Sequence, residues 1–558
     1  MPTCRECKTS FSIATEDKKI LNALELPEPT LCATDAHRRR MTYRNEASLY
    51  RRQCELCKKN IIAMYSPASY AHVYCRPCWY SDQWDPMKYA QTYDPQKPFF
   101  EQLHQLLTHV PHYNLWQPGE NVNSEYVNYV LDGKDCYLVF SGLELENIVY
   151  SRNIDWSKDC ADGLQVYHSE LVYDCVYTYY SYRSAFLTRA YNCNECYLGR
   201  DLTDCQNCFG CVNLKHKKFY WFNESLPEVE YRKRLTEALK NRESFEEHRK
   251  RFAQHSLKFP VEFAIIRKSE NVVGEAIESS KNIRLGFNMI ENENCGECFR
   301  MLKTKDCYRV NHTLGSQNSY EVNSGIRFNS AACSYTSPDC MFIAYCFFCE
   351  NSDHLFGCVG LRGKRFCILN QQYSETKYHD LRKKIINKMR DDGEWGEFLP
   401  VQYSPHTYNE TMSQDYFPLT KKKVLVRGWR WQDESAGLYG KETLRATDIH
   451  SQIEKVAEII LEKILACVEC KKNYRIQSIE LKLLKLLHLP LPLLCPACRF
   501  QKRWKRHYPL QLYHRQCQCD LKHSEHSENR CPTEFETTYA PERPEKIFCN
   551  PCYQQEIL

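Results

Sequence analysis

The 558-residue chain has no apolar run approaching the ~18 to 20 residues of a membrane-spanning helix. Its richest stretch, Leu481 to Leu494, is interrupted by Lys482, Lys485, His488 and two prolines. The opening MPTCRECKTS lacks the apolar segment of a secretory leader, and its first cysteine pair comes at once. Charge of one sign is lacking too: a net charge of +5 excludes bulk polyelectrolyte behaviour, so any basic face must be local. No glycine-rich nucleotide loop and no catalytic constellation stands out. The apolar share of 43% is ordinary, so most of the chain is expected to fold, in about three to five domains.

What is abundant is cysteine, 33 residues of it. Disulfide scaffolds are usually short secreted chains, so the better expectation here is a reducing cytoplasm and thiolate-bound metal.

Two copies of one cysteine module stand at the ends. Cys4, Cys7, Cys32 and Asp35, followed by LYRRQC ending at Cys54, recur as Cys467, Cys470, Cys495 and Cys498, followed by LYHRQC ending at Cys517. Every position is displaced by 463 residues, and Leu26-Pro27 recurs as Leu489-Pro490. After an 11-residue insertion, Tyr74, Cys75 and Cys78 match Phe548, Cys549 and Cys552. A Cys-x2-Cys turn presents two sulfurs on one side, and a second such turn completes a tetrahedron at about 2.3 Å per Zn–S bond. Zinc is therefore expected in three to four structural sites. One full set is Cys467, Cys470, Cys495 and Cys498; another is Cys54, Cys57, Cys75 and Cys78. In the first N-terminal set Asp35 replaces a cysteine, with His37 as a substitute ligand. In the last C-terminal set Cys517, Cys519 and Cys531 compete for two places beside Cys549 and Cys552, and Cys517 with Cys519 is the preferred pair.

The run CRECKTSFSIATEDKKILNALELPEPTLC and its copy CVECKKNYRIQSIELKLLKLLHLPLPLLCPACR resemble the zinc-ribbon domains of bacterial proteins: knuckle, short hairpin, amphipathic helix, second knuckle. With NEASLYRRQC, YCRPCWYSDQWDP and FETTYAPERPEKIFCNPCY, nearly the whole chain is similar to a family of large uncharacterised cysteine-rich bacterial proteins. Some of those carry a CaiB/BaiF CoA-transferase label. That activity would need a nucleotide fold and a suitably placed aspartate, neither of which these residues supply. Asp35 departs from the ribbon pattern.

Between the modules lies a second duplication. FGCVNLKHKKFYWFN from Phe209 recurs as FGCVGLRGKRFCILN from Phe356, an offset of 147. Before the first, segments such as KDCYLVF, LENIVYS, SKDCADG and SELVYDC return every 11 to 13 residues, and before the second KNIRLGF, ENCGECF, KDCYRVN and QNSYEVN keep the same beat, the rhythm of a β-solenoid. Two short strands per coil of roughly 22 to 25 residues are expected. Cys193, Cys196, Cys205, Cys208 and Cys211, and likewise Cys295, Cys298, Cys307 and Cys340 to Cys358, are read as small apolar residues packed inside the coil. Tyr173, Tyr177, Tyr179, Tyr180 and Tyr182 offer either a stacking surface or sheet cover.

The expected fold class is mainly β: two tandem β-solenoid (β-helix-like) tracts with helical spacers, flanked by zinc-ribbon or treble-clef-like modules. The expected divisions are a double zinc module at 1–92, a linker at 93–120, tracts at 121–224 and 267–373, a helical spacer at 225–266, a helix at 374–395, an extended linker and helix at 396–465, and the second double module at 466–558. Ser225 with Glu228 forms a capping-box pattern, and Ser374 is placed to cap the later helix.

For function, Arg38, Arg39, Arg40 and Arg44 cluster in one module, and Arg503, Lys505 and Arg506 in the other, beside Trp504 and Tyr508. Basic residues among aromatics suit nucleic-acid phosphates and bases. The first expectation is a non-enzymatic zinc protein that binds nucleic acid or a ribonucleoprotein; the alternative is a protein-interaction scaffold. A β-helix carbohydrate enzyme using Asp159, Asp162 or Glu170 is the third and least favoured.

Overall fold

A computed structural model describes residues 1–23, 25–305, 311–319, 326–332, 337–433, 438–522, 526 and 530–557, with side chains outside 298–336. The chain is strand-rich, and its strands lie mainly in two long, largely parallel ladders.

Parallel neighbours in the first ladder stand twelve residues apart: Ile154 beside Val166, Val176 beside Thr188, Leu202 beside Leu214. The repeating beat is thus the whole step from one strand to its stacked neighbour, which corrects the expected 22 to 25 residues. The reason lies in the backbone. From Tyr129 to Phe222 every third residue has positive φ, so the chain turns four times within each twelve-residue step. Asn, Asp and Gly tolerate that conformation best; Asp132, Asn147, Asp159, Asn192, Asp204 and Gly210 occupy it here. Strands Arg152–Ala161, Leu164–Tyr167, Val176–Tyr179, Tyr182–Tyr191 and Glu170–Tyr173 pair in a closed parallel ring.

The residue after each positive-φ position enters the ladder interior. Val130, Cys136, Leu145, Ile154, Cys160 and Val172 belong to one buried core whose members are separated by multiples of three. So narrow an interior favours small side chains, and its polar members bond the backbone. Ser169 accepts from the Ser181 N–H at 3.1 Å and donates to the Tyr167 carbonyl at 3.0 Å. Ser157, Ser181 and Ser184 accept in the same way from the residue twelve positions on.

Outward positions at the same twelve-residue spacing decide what docks on the ladders. Val149, Ala161, Tyr173, Ala185, Tyr197, Phe209 and Trp221 make one apolar column. It is buried beneath the helix pair Glu228–Leu239 and Arg242–Ser256 and the C-terminal helix Ser478–Leu486. On the second ladder Ala344, Phe356 and Ile368 lie in a core with Tyr43, Tyr65 and Trp79 of the N-terminal module. Each terminal module therefore builds its largest core against the tract farther from it in sequence.

Several local expectations change. Residues 93–120 are not a linker: helix Phe99–His109 buries Phe99, Leu103 and Leu106, and His112–Tyr113 pairs with Val73–Tyr74. The run 453–465 forms two 3-10 turns in place of the expected helix. Helix Glu228–Leu239 starts after Pro227, so the Ser225–Glu228 box does not form. Ser374 does occupy the cap position of helix Glu375–Asp391, without a side-chain bond.

His507 stacks on Trp504 at 4.4 Å and 6° and is buried, which pushes its pKa down to about 3. The unfolded imidazole titrates near 6.5. Below that value the unfolded chain takes up a proton that the folded one refuses, so stability present above pH 6.5 is lost as pH falls toward 3. His507→Phe is expected to flatten this acid limb by about 2 kcal/mol between pH 6.5 and 5, read from denaturation midpoints across pH.

Candidate metal centres

Three knuckles share one backbone. In Cys4–Cys7, Cys54–Cys57 and Cys467–Cys470 the following lysine (Lys8, Lys58, Lys471) has φ of 62–64° and donates its N–H to the first cysteine's carbonyl. The first cysteine's own N–H bonds the carbonyl of Thr9, Lys59 or Lys472. That double closure aims both sulfurs to one side.

The other two ligands of each set come from a helix start. Cys32, Cys75, Cys495 and Cys549 each stand at the N-cap position, with φ near −65° and extended ψ, of helices Ala33–Met41, Arg76–Trp79, Pro496–Trp504 and Asn550–Glu556. The last ligand lies three residues on, one turn into the helix. The helix start also favours the negative charge of a bound thiolate.

Four ligand sets result: Cys54, Cys57, Cys75 and Cys78; Cys467, Cys470, Cys495 and Cys498; Cys517, Cys531, Cys549 and Cys552; and Cys4, Cys7, Cys32 and Asp35. Within each, the ligand atoms lie within 4.8 Å of one another. Sγ–Sγ distances are 3.8 Å for Cys57–Cys75, 3.6 Å for Cys470–Cys495, 3.9 Å for Cys531–Cys549 and 3.7 Å for Cys7–Cys32. A tetrahedron with 2.3 Å metal–sulfur bonds has edges of about 3.8 Å, whereas a disulfide would need about 2.05 Å. These sets can hold a metal ion.

Electrostatics support thiolates at the knuckles. Burial alone would raise the Cys54 and Cys467 thiols, but N–H donors from Cys75, Cys57 and Leu56, and from Cys495, Cys470 and Glu469, bring each down to about 7. Asp35 completes the first N-terminal set, its Oδ2 lying 3.1 Å from Cys4 Sγ and 3.6 Å from Cys32 Sγ. Burial opposes its charge, yet contacts from Cys7 and Cys4 and the Arg38 guanidinium hold the carboxyl below its ordinary range. His37 does not join the set; its Nδ1 lies 3.1 Å from the Arg40 guanidinium.

At the last C-terminal set the preferred pair needs correcting. The four donors brought together are Cys517, Cys531, Cys549 and Cys552, while Cys519 lies in a separate group with His526 and Cys552. Strand register shows why. Gln516 stands opposite Glu534 as Gln53 stands opposite Asn60, and the Cys517 N–H bonds the Thr533 carbonyl as that of Cys54 bonds Lys59. Cys531 is therefore the counterpart of Cys57, pushed along the chain by the 11 inserted residues. The insertion opens inside the knuckle, and the chain returns to close it.

The ladder cysteines behave as interior residues. Cys193, Cys196, Cys205, Cys208 and Cys211 are buried, and each thiol lies 3.3–3.7 Å from the carbonyls two residues before and nine after it. Cys295, Cys340, Cys346, Cys349 and Cys358 are buried likewise; Cys298 and Cys307 lie outside the described side chains. Of the tyrosines, Tyr173 and Tyr177 are covered, Tyr179 is half-buried, and Tyr180 and Tyr182 are exposed. Tyr180 stacks on His168, and His168 on Trp156.

The basic clusters do not form an open face. Arg39, Arg40, Arg44 and Arg503 are buried. Arg38 pairs with Asp35, Arg39 with Glu397, Arg44 with Glu46 and Arg506 with Asp174. Arg503 and Arg499 both reach Asp162, at 2.8 and 2.9 Å, and Arg499 also reaches Glu480 at 2.7 Å. Only Lys505 of the seven is exposed. A guanidinium buried against a carboxylate is not presented to phosphate, which is the position of Arg39, Arg44 and Arg503. Asp162 is engaged by the same pairs, Asp159 accepts from Asn147, and Glu170 is exposed.

No protein-family model matches the chain, and no curated protein sequence matches it.

Proposed function

We propose that this chain is a non-enzymatic zinc protein that works as a protein-interaction scaffold. The two ladders are read as β-solenoids, and the terminal modules as treble-clef-like zinc domains that lock onto them. The observation that carries this reading is the fate of three arginines: Arg499, Arg503 and Arg506 of the C-terminal module are turned onto the ladder carboxylates Asp162 and Asp174. Charge invested in docking supports an internal clamp and weighs against the nucleic-acid reading. The donor sets, three of them all sulfur, suit zinc, and closed four-ligand sites are structural. Free thiols in such number suit a reducing cytoplasm. No helix among the described residues is long and apolar enough to cross a membrane.

Affinity capture of the tagged full chain is expected to return a stoichiometric protein partner. Retention on RNA or DNA is expected to match an equally basic control at moderate salt. Binding that clearly exceeds the control and weakens steeply with salt would favour the nucleic-acid reading and end this one.

A further inference from the structure

Beyond the four tetrads stands a fifth group: Cys519, His526 and Cys552, all buried, with ligand atoms mutually within 4.8 Å. Cys552 belongs to this group and also to the tetrad with Cys517, Cys531 and Cys549. Cys519 packs in the same small cluster as the tetrad, and its carbonyl accepts the Cys531 N–H at 2.9 Å. We infer that the C-terminal end holds two zinc ions bridged by the Cys552 thiolate, one in the tetrad and one on Cys519, His526 and Cys552.

Comparison of the two modules explains how this arises. The N-terminal copy holds its site with Cys54, Cys57, Cys75 and Cys78, and only two residues separate its first pair. In the C-terminal copy the insertion separates Cys517 from Cys531, and the inserted stretch carries both Cys519 and His526. The tetrad keeps its four counterparts, and the two new donors stand together beside Cys552. The charges agree. Four thiolates around one divalent ion leave two negative charges to be buried, which is costly. A second divalent ion with one further thiolate and a neutral imidazole lowers that net charge to one. Two of the three donors to the second ion are soft sulfurs and one is imidazole, a set that zinc accepts, with a water in the fourth position.

This inference rests on the zinc reading above, so the experiment separates the two. Zinc per full-length chain is measured by elemental analysis in the wild type, in Cys519→Ser and in His526→Ala. About five ions in the wild type and one fewer in each variant are expected. As a check that needs no variant, the 113Cd-exchanged protein should show two cadmium resonances that split each other through the shared sulfur. Four zinc ions with no loss in either variant, or cadmium resonances with no mutual splitting, would overturn the second ion and leave the tetrads standing. A chain isolated without zinc that takes none up on refolding would overturn both.

Discussion

Cys467→Ser is expected to release one zinc ion and to unfold the segment built around that site, residues 465–504, while Cys175→Ser releases none and costs about 1 kcal/mol. The two changes are chemically the same, but the sulfurs do different things. Cys467 sits where three backbone N–H groups lower its thiol to about 7, ready to bind as thiolate. A serine hydroxyl does not ionise near neutral pH and makes a poor fourth ligand. Structural zinc contributes folding free energy on the order of 10 kcal/mol, and Cys467 and Cys495 belong to the core that covers the Val149-to-Trp221 column. Losing the ion should therefore expose that column. Cys175 lies in the ladder interior and donates to the Tyr173 carbonyl; serine fills the same role at Ser151, which donates to Val149. Elemental analysis and thermal denaturation of both variants test the contrast. Equal zinc content in wild type and Cys467→Ser would contradict it.

Asp162→Asn is expected to destabilise the folded chain by about 3–5 kcal/mol, since it removes the charged carboxylate that both buried guanidiniums, Arg499 and Arg503, contact. Asp162 and Arg503 are both fully buried, and Glu480 alone remains, reaching Arg499 but not Arg503. Burial already raises the Glu480 carboxyl to about 7 despite the Arg499 charge, so Glu480 is poorly placed to carry a second cation. Asparagine is the right probe because Asp162 has φ of 56°, a conformation that asparagine also tolerates. The backbone is kept and only the charge is lost. Urea unfolding gives the magnitude. Faster proteolysis of residues 466–558 than of 1–92 would place the damage at the C-terminal docking surface. A change within about 0.5 kcal/mol would mean that the pairs do not clamp the module, and would remove the main support for the scaffold reading.

The candidate metal ligands were largely readable in the order of residues, because a knuckle is a local object. Cys-x2-Cys followed by Lys closes by hydrogen bonds within five positions, and the 463-residue displacement marks both copies. The ladder beat was also readable, since stacking demands a fixed step. Its interior was harder to see: the inward set recurs every third residue, and cysteine, serine, glycine and valine share it without an apolar signature. A run of Asn, Asp, Gly and His at the preceding positions, as at Asp159, Asp162, His168 and Asp174, was the available sign.

Three things required the tertiary structure. The choice of Cys531 over Cys519 turns on where an inserted loop returns to the knuckle, which spacing alone leaves open. The arginines looked like a binding face because their partners are far away in the chain: Asp162 is more than three hundred residues from Arg503, and Glu397 is as distant from Arg39. The crosswise docking of each module on the farther ladder depends on apolar columns that exist only once the strands stack. Short-range geometry is written in neighbouring residues; the pairing of buried charge and the covering of assembled surfaces are properties of the folded whole.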